Sequence, residues 1–208
     1  MKIGLVPMAA KPYHAGHHAL VTTAAGENDE VLLYISLSDR KRKGEVPIHG
    51  SDMQTIWKEE IEKILPGNVT PVYGGVPVRS VYEVLQDAES KLIETGEFEH
   101  VYTVYSDPVD TTRNFGEAQR QKYFPNVWEA GHVLFAAEEN PTAFTRGEGT
   151  PNVSGTALRQ SLESCDLEAF RSGMPKGVNS EKIFNTLCPA MKTNENVLRQ
   201  YINAIITG

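Results

Sequence analysis

The stretch KIGLVPMAAKPYHAGHHAL, residues 2–20, joins a short apolar run to a helix-like segment through a turn rich in histidine. Its first seven residues have the length and apolar content of a strand buried in a sheet. The part from His17 onward has the pattern of a helix start. A strand followed by a helix predicts the first unit of a parallel sheet. Three of the chain's six histidines therefore lie at the end of the first predicted strand.

Strand-like and helix-like segments alternate along the rest of the chain. Four further segments have strand character, namely EVLLYISLS (30–38), VTPVYGGVPV (69–78), HVYTVYS (100–106) and GHVLFAAE (131–138). Helical patterns cover residues 51–65, 80–96, 111–124, 155–164, 166–173, 180–187 and 194–206. This alternation indicates parallel βαβ units, so we predict an α/β protein with a doubly wound sheet of about five strands. Ligands of such sheets bind at the carboxyl ends of the strands, where the histidines lie.

Composition limits the classes of function. The chain has 208 residues, 40% of them hydrophobic, which suits one domain of ordinary size. Its net charge of -7 argues against a broad nucleic-acid surface but is compatible with a small anionic ligand. No segment approaches the roughly 18 apolar residues of a membrane span, and the N-terminal residues do not form a signal peptide. We therefore expect a cytoplasmic enzyme-sized domain that binds neither nucleic acid nor membrane.

The two cysteines, Cys165 and Cys188, form no CxxC pair and no zinc spacing. Cysteines that stand alone in this way are usually reduced and partly buried, and they pack as small hydrophobic side chains. We predict that role for both of them.

The histidine cluster has three interpretations. It can be a surface loop without a role. It can bind a metal, because His14 shares a helix face with His17 or His18, but zinc needs three or four ligands and no HExxH motif is present. It can also bind an anion. Gly16 lies at the opening of a helix, where free N–H groups and the helix dipole attract phosphate. His14 and His17 then point at the same phosphate.

The four residues from His14 to His17, His-Ala-Gly-His, resemble the HxGH motif of the nucleotidyltransferase superfamily. The superfamily comprises adenylyl- and cytidylyltransferases with a Rossmann-like fold. The position of the motif after the first strand agrees with that family, so the resemblance implies that Gly16 and both histidines contact the nucleotide phosphates.

A second motif follows the last predicted strand. Ser154, Gly155 and Thr156 together with Arg159 resemble the SGTxxR (or SSTxxR) motif of the same superfamily. Ser and Thr are good N-cap residues, so this helix start offers a second anion site, and Arg159 adds charge one turn further on. The alternative is an ordinary capped helix with a solvated arginine.

The resemblance covers roughly Lys2 to Leu162. We predict a nucleotidyltransferase domain over residues 1–162 and a helical extension over residues 163–208 that packs on the same domain. The GRFxPxHxGH lead-in of the nicotinamide mononucleotide adenylyltransferases is not reproduced, since the sequence PMAAKPYHAGH keeps Pro12 but lacks the arginine and the phenylalanine. The acceptor substrate therefore stays open.

Basic residues cluster after the second strand. Arg40, Lys41, Arg42 and Lys43 lie in one loop, which is either a solvated surface loop or a contact for a triphosphate. We take Arg40 and Arg42 as nucleotide-binding candidates.

Two further candidates come from the resemblance. Lys11 lies three residues before the HxGH motif, where relatives have a basic side chain that touches the phosphates. Ser106 and Asp107 follow the fourth strand, where relatives contact the sugar or base, although Asp107 can also be a helix cap. Arg113 is either an acceptor contact or a surface residue.

The resemblance implies attack by a phosphorylated small-molecule acceptor on the α-phosphate of ATP or CTP, with release of pyrophosphate. The Ser-Gly-Thr of the second motif looks closer to adenylyltransferases such as the nicotinamide mononucleotide enzymes than to cytidylyltransferases, so the resemblance favours ATP. His14 and His17 would bind the α- and β-phosphates, and Mg²⁺ would be held mainly by triphosphate oxygens and water, with no dedicated metal residue. Two alternatives are a noncatalytic nucleotide sensor and a histidine metal site in an unrelated α/β protein. Members of the family are often multimeric, so a homo-oligomer is also open.

Overall fold

The structure, a computed structural model, describes residues 1–188, and the helix predicted over residues 194–206 lies outside them. The strands are β1 (Lys2–Met8), β2 (Glu30–Ile35), β3 (Val69–Tyr73), β4 (Val101–Val104) and β5 (Val133–Phe135). All neighbouring strands pair in parallel, in the order β3-β2-β1-β4-β5. This order confirms the predicted α/β class and the doubly wound, Rossmann-like, five-stranded sheet.

Helices cover both faces of the sheet. In chain order they are α1 (Ala15–Glu27), α2 (Gly50–Ile56), α3 (Pro77–Thr95), α4 (Pro108–Phe115), α5 (Glu117–Tyr123), α6 (Pro125–Glu129), α7 (Ala136–Glu139), α8 (Pro141–Phe144), α9 (Gly155–Glu163), α10 (Leu167–Ser172) and α11 (Ser180–Leu187). A π-helical turn (Trp57–Ile61) and a 3₁₀ turn (Glu62–Ile64) follow α2. Within residues 1–188, no helix has the length and apolar content needed to cross a membrane.

The strand order places the switch point of the sheet beside β1. From β1 the chain builds β2 and β3 outward on one side, and then returns through α3 to build β4 and β5 on the other side. The connections that leave β1 and β4 therefore diverge and open a crevice at the carboxyl ends of these strands. The histidine turn follows β1 directly, so it lies at this crevice.

Two hydrophobic cores lie on the two faces of the sheet. Along β1, Ile3 and Leu5 point into the core that contains α3, whereas Val6 and Met8 point into the core that contains α1. Helices α9, α10 and α11 pack on the same face as α1 and contribute side chains such as Phe170 to that core. Residues 163–188 thus share a core with the sheet.

Several boundaries of the predicted elements are wrong, among them that of the strand predicted over residues 69–78, which ends at Tyr73. The helix predicted over residues 51–65 is divided into α2 and two short turns, and residues 111–124 hold two helices instead of one. The strand predicted over residues 131–138 ends at Phe135. Helix α2 begins at Gly50, whose N–H is accepted by the carboxylate of Asp39 at 2.9 Å.

Gly50, the first residue of α2, lies against the backbone of Leu37, which follows β2. A Cβ at this position would stand 1.6 Å from the carbonyl oxygen of Leu37, a backbone atom that cannot move independently. We expect Gly50→Ala to lower the free energy of unfolding by about 3 kcal/mol or more. Urea denaturation measures this change. Gly26→Ala is the matched control, since a Cβ there meets nothing within 4 Å, and helix propensity should make it neutral or stabilising. Equal stabilities for the two variants would contradict the prediction.

Candidate functional site

A cleft with two connected halves lies at the carboxyl ends of β1 and β4. Its larger cavity, about 700 Å³, is called the apolar half here, because side chains such as Met8, Leu20 and Phe144 line much of it. Its smaller cavity, about 520 Å³, is called the cationic half. The Lys and Arg residues that line the cationic half are Lys11, Arg40, Lys41, Arg42, Arg146 and Arg159. The two halves share the side chains of His14, His17, Asp107, Asp110 and Arg146, so they form one continuous cleft.

Every site residue predicted from the sequence lines this cleft. The cationic half is lined by Lys11, His14, His17, Arg40, Arg42, Asp107, Ser154, Gly155, Thr156 and Arg159. Gly16 lines the apolar half. The openings of α1 and α9, which are far apart in the sequence, thus face one cavity. The sequence left the roles of Lys41 and Arg113 open. In the structure Lys41 lines the cationic half and Arg113 lines the apolar half.

His14 is the N-cap of α1. Its Nδ1 accepts a hydrogen bond from the backbone N–H of His17 at 3.3 Å. Burial, together with the positive charges of Arg146 and Arg159, lowers the pKa of His14 to about 4, so the ring is neutral at pH 7. A neutral imidazole that accepts through Nδ1 carries its proton on Nε2. His14 therefore presents an N–H donor from its Nε2 side.

His17 stacks directly on His14, with ring centroids 3.7 Å apart and an interplanar angle of 20°. Tyr13 stacks at 5.7 Å from the same ring. Burial, the neighbouring His14 and the charge of Arg146 hold the pKa of His17 well below its ordinary value. Its Nδ1 is buried without a hydrogen-bond partner among residues 1–188. Stacking therefore fixes a second neutral imidazole beside the first.

The lowered histidine pKa values make the stability of the fold depend on pH. The folded state binds a proton on His14 less readily than the unfolded state does. The contribution of His14 to the free energy of unfolding is therefore fully present above pH 6.5 and is lost as the pH drops toward 4. We expect a loss of about 2 kcal/mol from this residue between pH 6.5 and 4.5.

The variant His14→Asn tests this pH dependence. Asn is a good N-cap, so it keeps the bond to the His17 N–H but does not titrate. Urea denaturation at pH 7.0, 6.0, 5.0 and 4.5 should give a shallower fall in stability for the variant than for the parent protein. Parallel pH profiles for the two proteins would show that His14 does not cause the pH dependence.

Lys11 is buried at the junction of β1 and β2. Its Nζ donates to the hydroxyls of Ser36 at 3.2 Å and Ser38 at 3.1 Å, just after β2. Burial lowers the pKa of Lys11, although the charge of Asp39 opposes this effect. The carbonyl oxygen of Lys11 accepts a hydrogen bond from Arg159 Nη1 at 2.9 Å. The loop before α1 is therefore fixed to α9.

Arg159 holds the two motifs together. Its second terminal nitrogen donates to the hydroxyl of Thr156 at 2.9 Å, and Ser154 caps α9 by accepting the Ala157 N–H at 3.0 Å. Arg159 Nε lies 3.1 Å from a carboxylate oxygen of Glu45, as a charge pair without hydrogen-bond geometry. The side chain is buried, so the alternative of a solvated arginine is wrong.

The basic loop is folded back onto α9. Arg40 pairs with Ile48 through two backbone hydrogen bonds of 2.8 and 3.0 Å. Arg40 also donates to both carboxylate oxygens of Glu45, at 2.8 and 3.1 Å, and these bonds hold the pKa of Glu45 below its ordinary value. Glu45 thus lies between Arg40 and Arg159. Arg42 lines the cationic half, and Lys43 is not among its lining residues.

Asp107 is a helix cap that also faces the cleft. It caps α4, because its Oδ1 accepts the Asp110 N–H at 2.8 Å, and it lines both halves of the cleft. Burial and the neighbouring charge of Asp107 raise the pKa of Asp110. Asp110 also forms an ion pair with Arg113, which lies at the exposed side of the apolar half. Ser106 bonds the hydroxyl of Thr111 at 2.7 Å and lines the apolar half.

Sequence reasoning missed Arg146. This residue lies in the sequence TRGEGTPNVSG between β5 and α9, and it lines both halves of the cleft. Its charge contributes to the lowered pKa of both His14 and His17. The sequence feature that could have indicated Arg146 is its position in a loop with Gly and Pro, just before the second motif.

The described residues 1–188 contain no group of three or more His, Cys, Asp or Glu side chains placed to hold a metal ion. A scan against models of known protein families finds no match for the chain, and a search of curated proteins also finds none. The fold and the geometry of the cleft are therefore the observations on which a function can be argued.

Proposed function

We propose that this protein is a nucleotidyltransferase that transfers a nucleoside monophosphate, most readily AMP from ATP, to a phosphorylated small-molecule acceptor and releases pyrophosphate. The observation that carries the proposal is the convergence of the two helix openings. The N-terminus of α1, with His14 and His17, and the N-terminus of α9, with Thr156, line one cavity. Backbone N–H groups and helix dipoles at such openings attract phosphate.

The charge distribution of the cleft suggests how a triphosphate would lie. Its α-phosphate would occupy the boundary shared by the two halves, where His14, His17 and Arg146 meet. The β- and γ-phosphates would lie in the cationic half near Lys11 and Arg42. The apolar half, at about 700 Å³, has the size of a small-molecule pocket and would take the nucleoside and the acceptor.

The proposed reaction needs no protein nucleophile. A phosphate monoester oxygen of the acceptor is already ionised at pH 7, so it attacks the α-phosphorus without a general base. The bond to the β-phosphate bridging oxygen then breaks, and pyrophosphate leaves. The contribution of the protein is to position the reactants and to stabilise developing negative charge, through the Nε2–H of His14, the His17 ring and the Arg146 guanidinium.

The residues present fit a magnesium ion that is held mainly by the nucleotide. Asp107 and Asp110 lie at the shared boundary, where burial and the charge of Asp107 raise the pKa of Asp110, and a nearby cation would offset both effects. Both carboxylates are also engaged in the protein, as a helix cap and an ion pair. When bound, Mg²⁺ would neutralise phosphate charge, and these two carboxylates would contact it directly or through water.

A pyrophosphate-release screen tests the proposal. The full chain is incubated with Mg²⁺ and either ATP or CTP, together with a panel of phosphorylated acceptors that includes nicotinamide mononucleotide. We expect pyrophosphate with at least one pair, and we expect ATP to be used better than CTP. Preference for CTP would indicate a cytidylyltransferase. Tight nucleotide binding without pyrophosphate from any acceptor would favour a noncatalytic sensor, and failure to bind either nucleotide would overturn the proposal.

A further inference from the structure

The two cysteines of the chain lie side by side on the face of the sheet covered by α9, α10 and α11. The Sγ atoms of Cys165 and Cys188 are 3.1 Å apart, although the residues are 23 positions apart in the sequence. Cys165 follows the end of α9, and Cys188 follows α11. Both thiols also approach the carbonyl oxygen of Leu162, at 3.9 and 3.8 Å. Both cysteines are free thiols and Cys188 is buried, as the sequence predicted, whereas Cys165 is exposed.

The backbone at Cys165 points to a role for its thiol. Its φ of 55° lies in the left-handed region, which L residues rarely adopt and which glycine usually occupies at the end of a helix. A cysteine at this position accepts backbone strain that glycine would avoid. Cys165 is also exposed, whereas Cys188 is buried. The pair thus combines one thiol accessible to reagents with one protected thiol that touches it.

We propose that Cys165 and Cys188 form a reversible intramolecular disulfide that joins the end of α9 to the end of α11. A disulfide needs sulfur atoms about 2.05 Å apart, so the thiols must approach by about 1 Å, which small side-chain rotations can supply. The oxidant is a low-molecular-weight disulfide such as oxidised glutathione. This inference does not rest on the proposed nucleotidyl transfer.

The chemistry proceeds in two exchange steps. The Cys165 thiolate attacks one sulfur of oxidised glutathione, whose S–S bond breaks, and the first glutathione leaves and takes up a proton. Cys188 Sγ then attacks the Cys165 sulfur of the mixed disulfide and displaces the second glutathione. The two protein thiols lose two electrons and two protons, which end on two glutathione thiols. The hydrogen bond between the thiols raises the pKa of Cys165, so we expect the reaction to take minutes to hours.

The disulfide would stabilise the helical face of the fold. It closes a loop that contains α10 and α11 and so restricts the unfolded chain. For a loop of this length in a protein of this size, we expect the midpoint of thermal unfolding to rise by about 5–10 °C.

The test uses the full reduced chain treated with oxidised glutathione. Since the sequence contains only two cysteines, free thiols should fall from two to none. The intact mass should fall by two hydrogens, the unfolding midpoint should rise by about 5–10 °C, and dithiothreitol should reverse all three changes. Two remaining free thiols, stable glutathione adducts on both cysteines, or disulfide-linked dimers would overturn the proposal.

Single substitutions provide the matched controls. In Cys188→Ser the exposed Cys165 has no resolving partner, so it should retain one glutathione adduct and show no rise in the unfolding midpoint. Cys165→Ser leaves the buried core thiol in place and therefore tests the proposal if the first variant folds poorly. It should neither form an adduct nor gain stability. An equal rise in the midpoint for Cys165→Ser and the parent protein would show that the gain does not come from the disulfide.

Discussion

Replacing His17 with alanine is expected to lower the turnover of nucleotidyl transfer by about 10²-fold or more, with a much smaller change in nucleotide affinity. The ring lies at the boundary of the two halves of the cleft, stacked on His14, where the α-phosphate would react. Its pKa is held low, so it acts as a neutral, pre-oriented group and not as a cation that attracts the whole triphosphate. The interaction should therefore strengthen mainly in the transition state.

The adjacent histidine is the matched control. His18 lies on the same helix, but its Nδ1 bonds the Tyr13 hydroxyl at 3.2 Å and it is not among the residues that line the cleft. His18→Ala should retain turnover within about twofold of the parent protein, since it touches no reacting group. The measurement is steady-state pyrophosphate release with the best pair from the screen, together with nucleotide binding by calorimetry. Turnover near the parent value in pure His17→Ala would remove this ring from the mechanism.

The sequence predicted the sheet well because buried parallel strands have a simple pattern. The apolar runs of β1 and β2 are short, continuous and followed by helical periodicity, so their order along the chain indicates the fold class. Boundaries were harder to predict where apolar content continues beyond an element. Ala136 and Ala137 extend the apolar run of β5, yet they begin a helical turn, because alanine is the residue with the highest helix propensity.

The parts of the candidate site that belong to one short motif could be predicted from the sequence. The parts formed by residues distant in the sequence could not. His14 is the N-cap of α1 and His17 lies three residues further along, in its first turn, so their proximity follows from helical geometry. The role of Glu45 depends on Arg159, which is more than a hundred positions away along the chain. Arg146 likewise reaches the histidines only because the loop before α9 returns to the end of β1. No local pattern reports such contacts.

Arg159→Lys is expected to lower turnover by about 10²-fold, nearly as much as Arg159→Ala. In the structure the guanidinium contacts the Lys11 carbonyl, the Thr156 hydroxyl and the Glu45 carboxylate from three different nitrogens. A lysine ammonium keeps the charge, but as a single point it cannot span these three partners at once. The opening of α9 would then shift relative to the HxGH turn, and a displacement of about 1 Å suffices for a loss of this size.

Kinetics of the two variants distinguish a positioning role from simple attraction of the triphosphate. If Arg159 positions the two helix openings, kcat falls in both variants and the lysine rescues little of it. If its charge alone attracts phosphate, Arg159→Lys should keep kcat and KM close to the parent values, and the prediction fails. Arg79→Lys is the control for an exposed arginine, since Arg79 bonds Glu83 at 3.0 Å on the surface of α3 and lies outside the cleft. An unchanged control beside an inactive Arg159→Lys would assign the loss to the geometry that joins the two motifs.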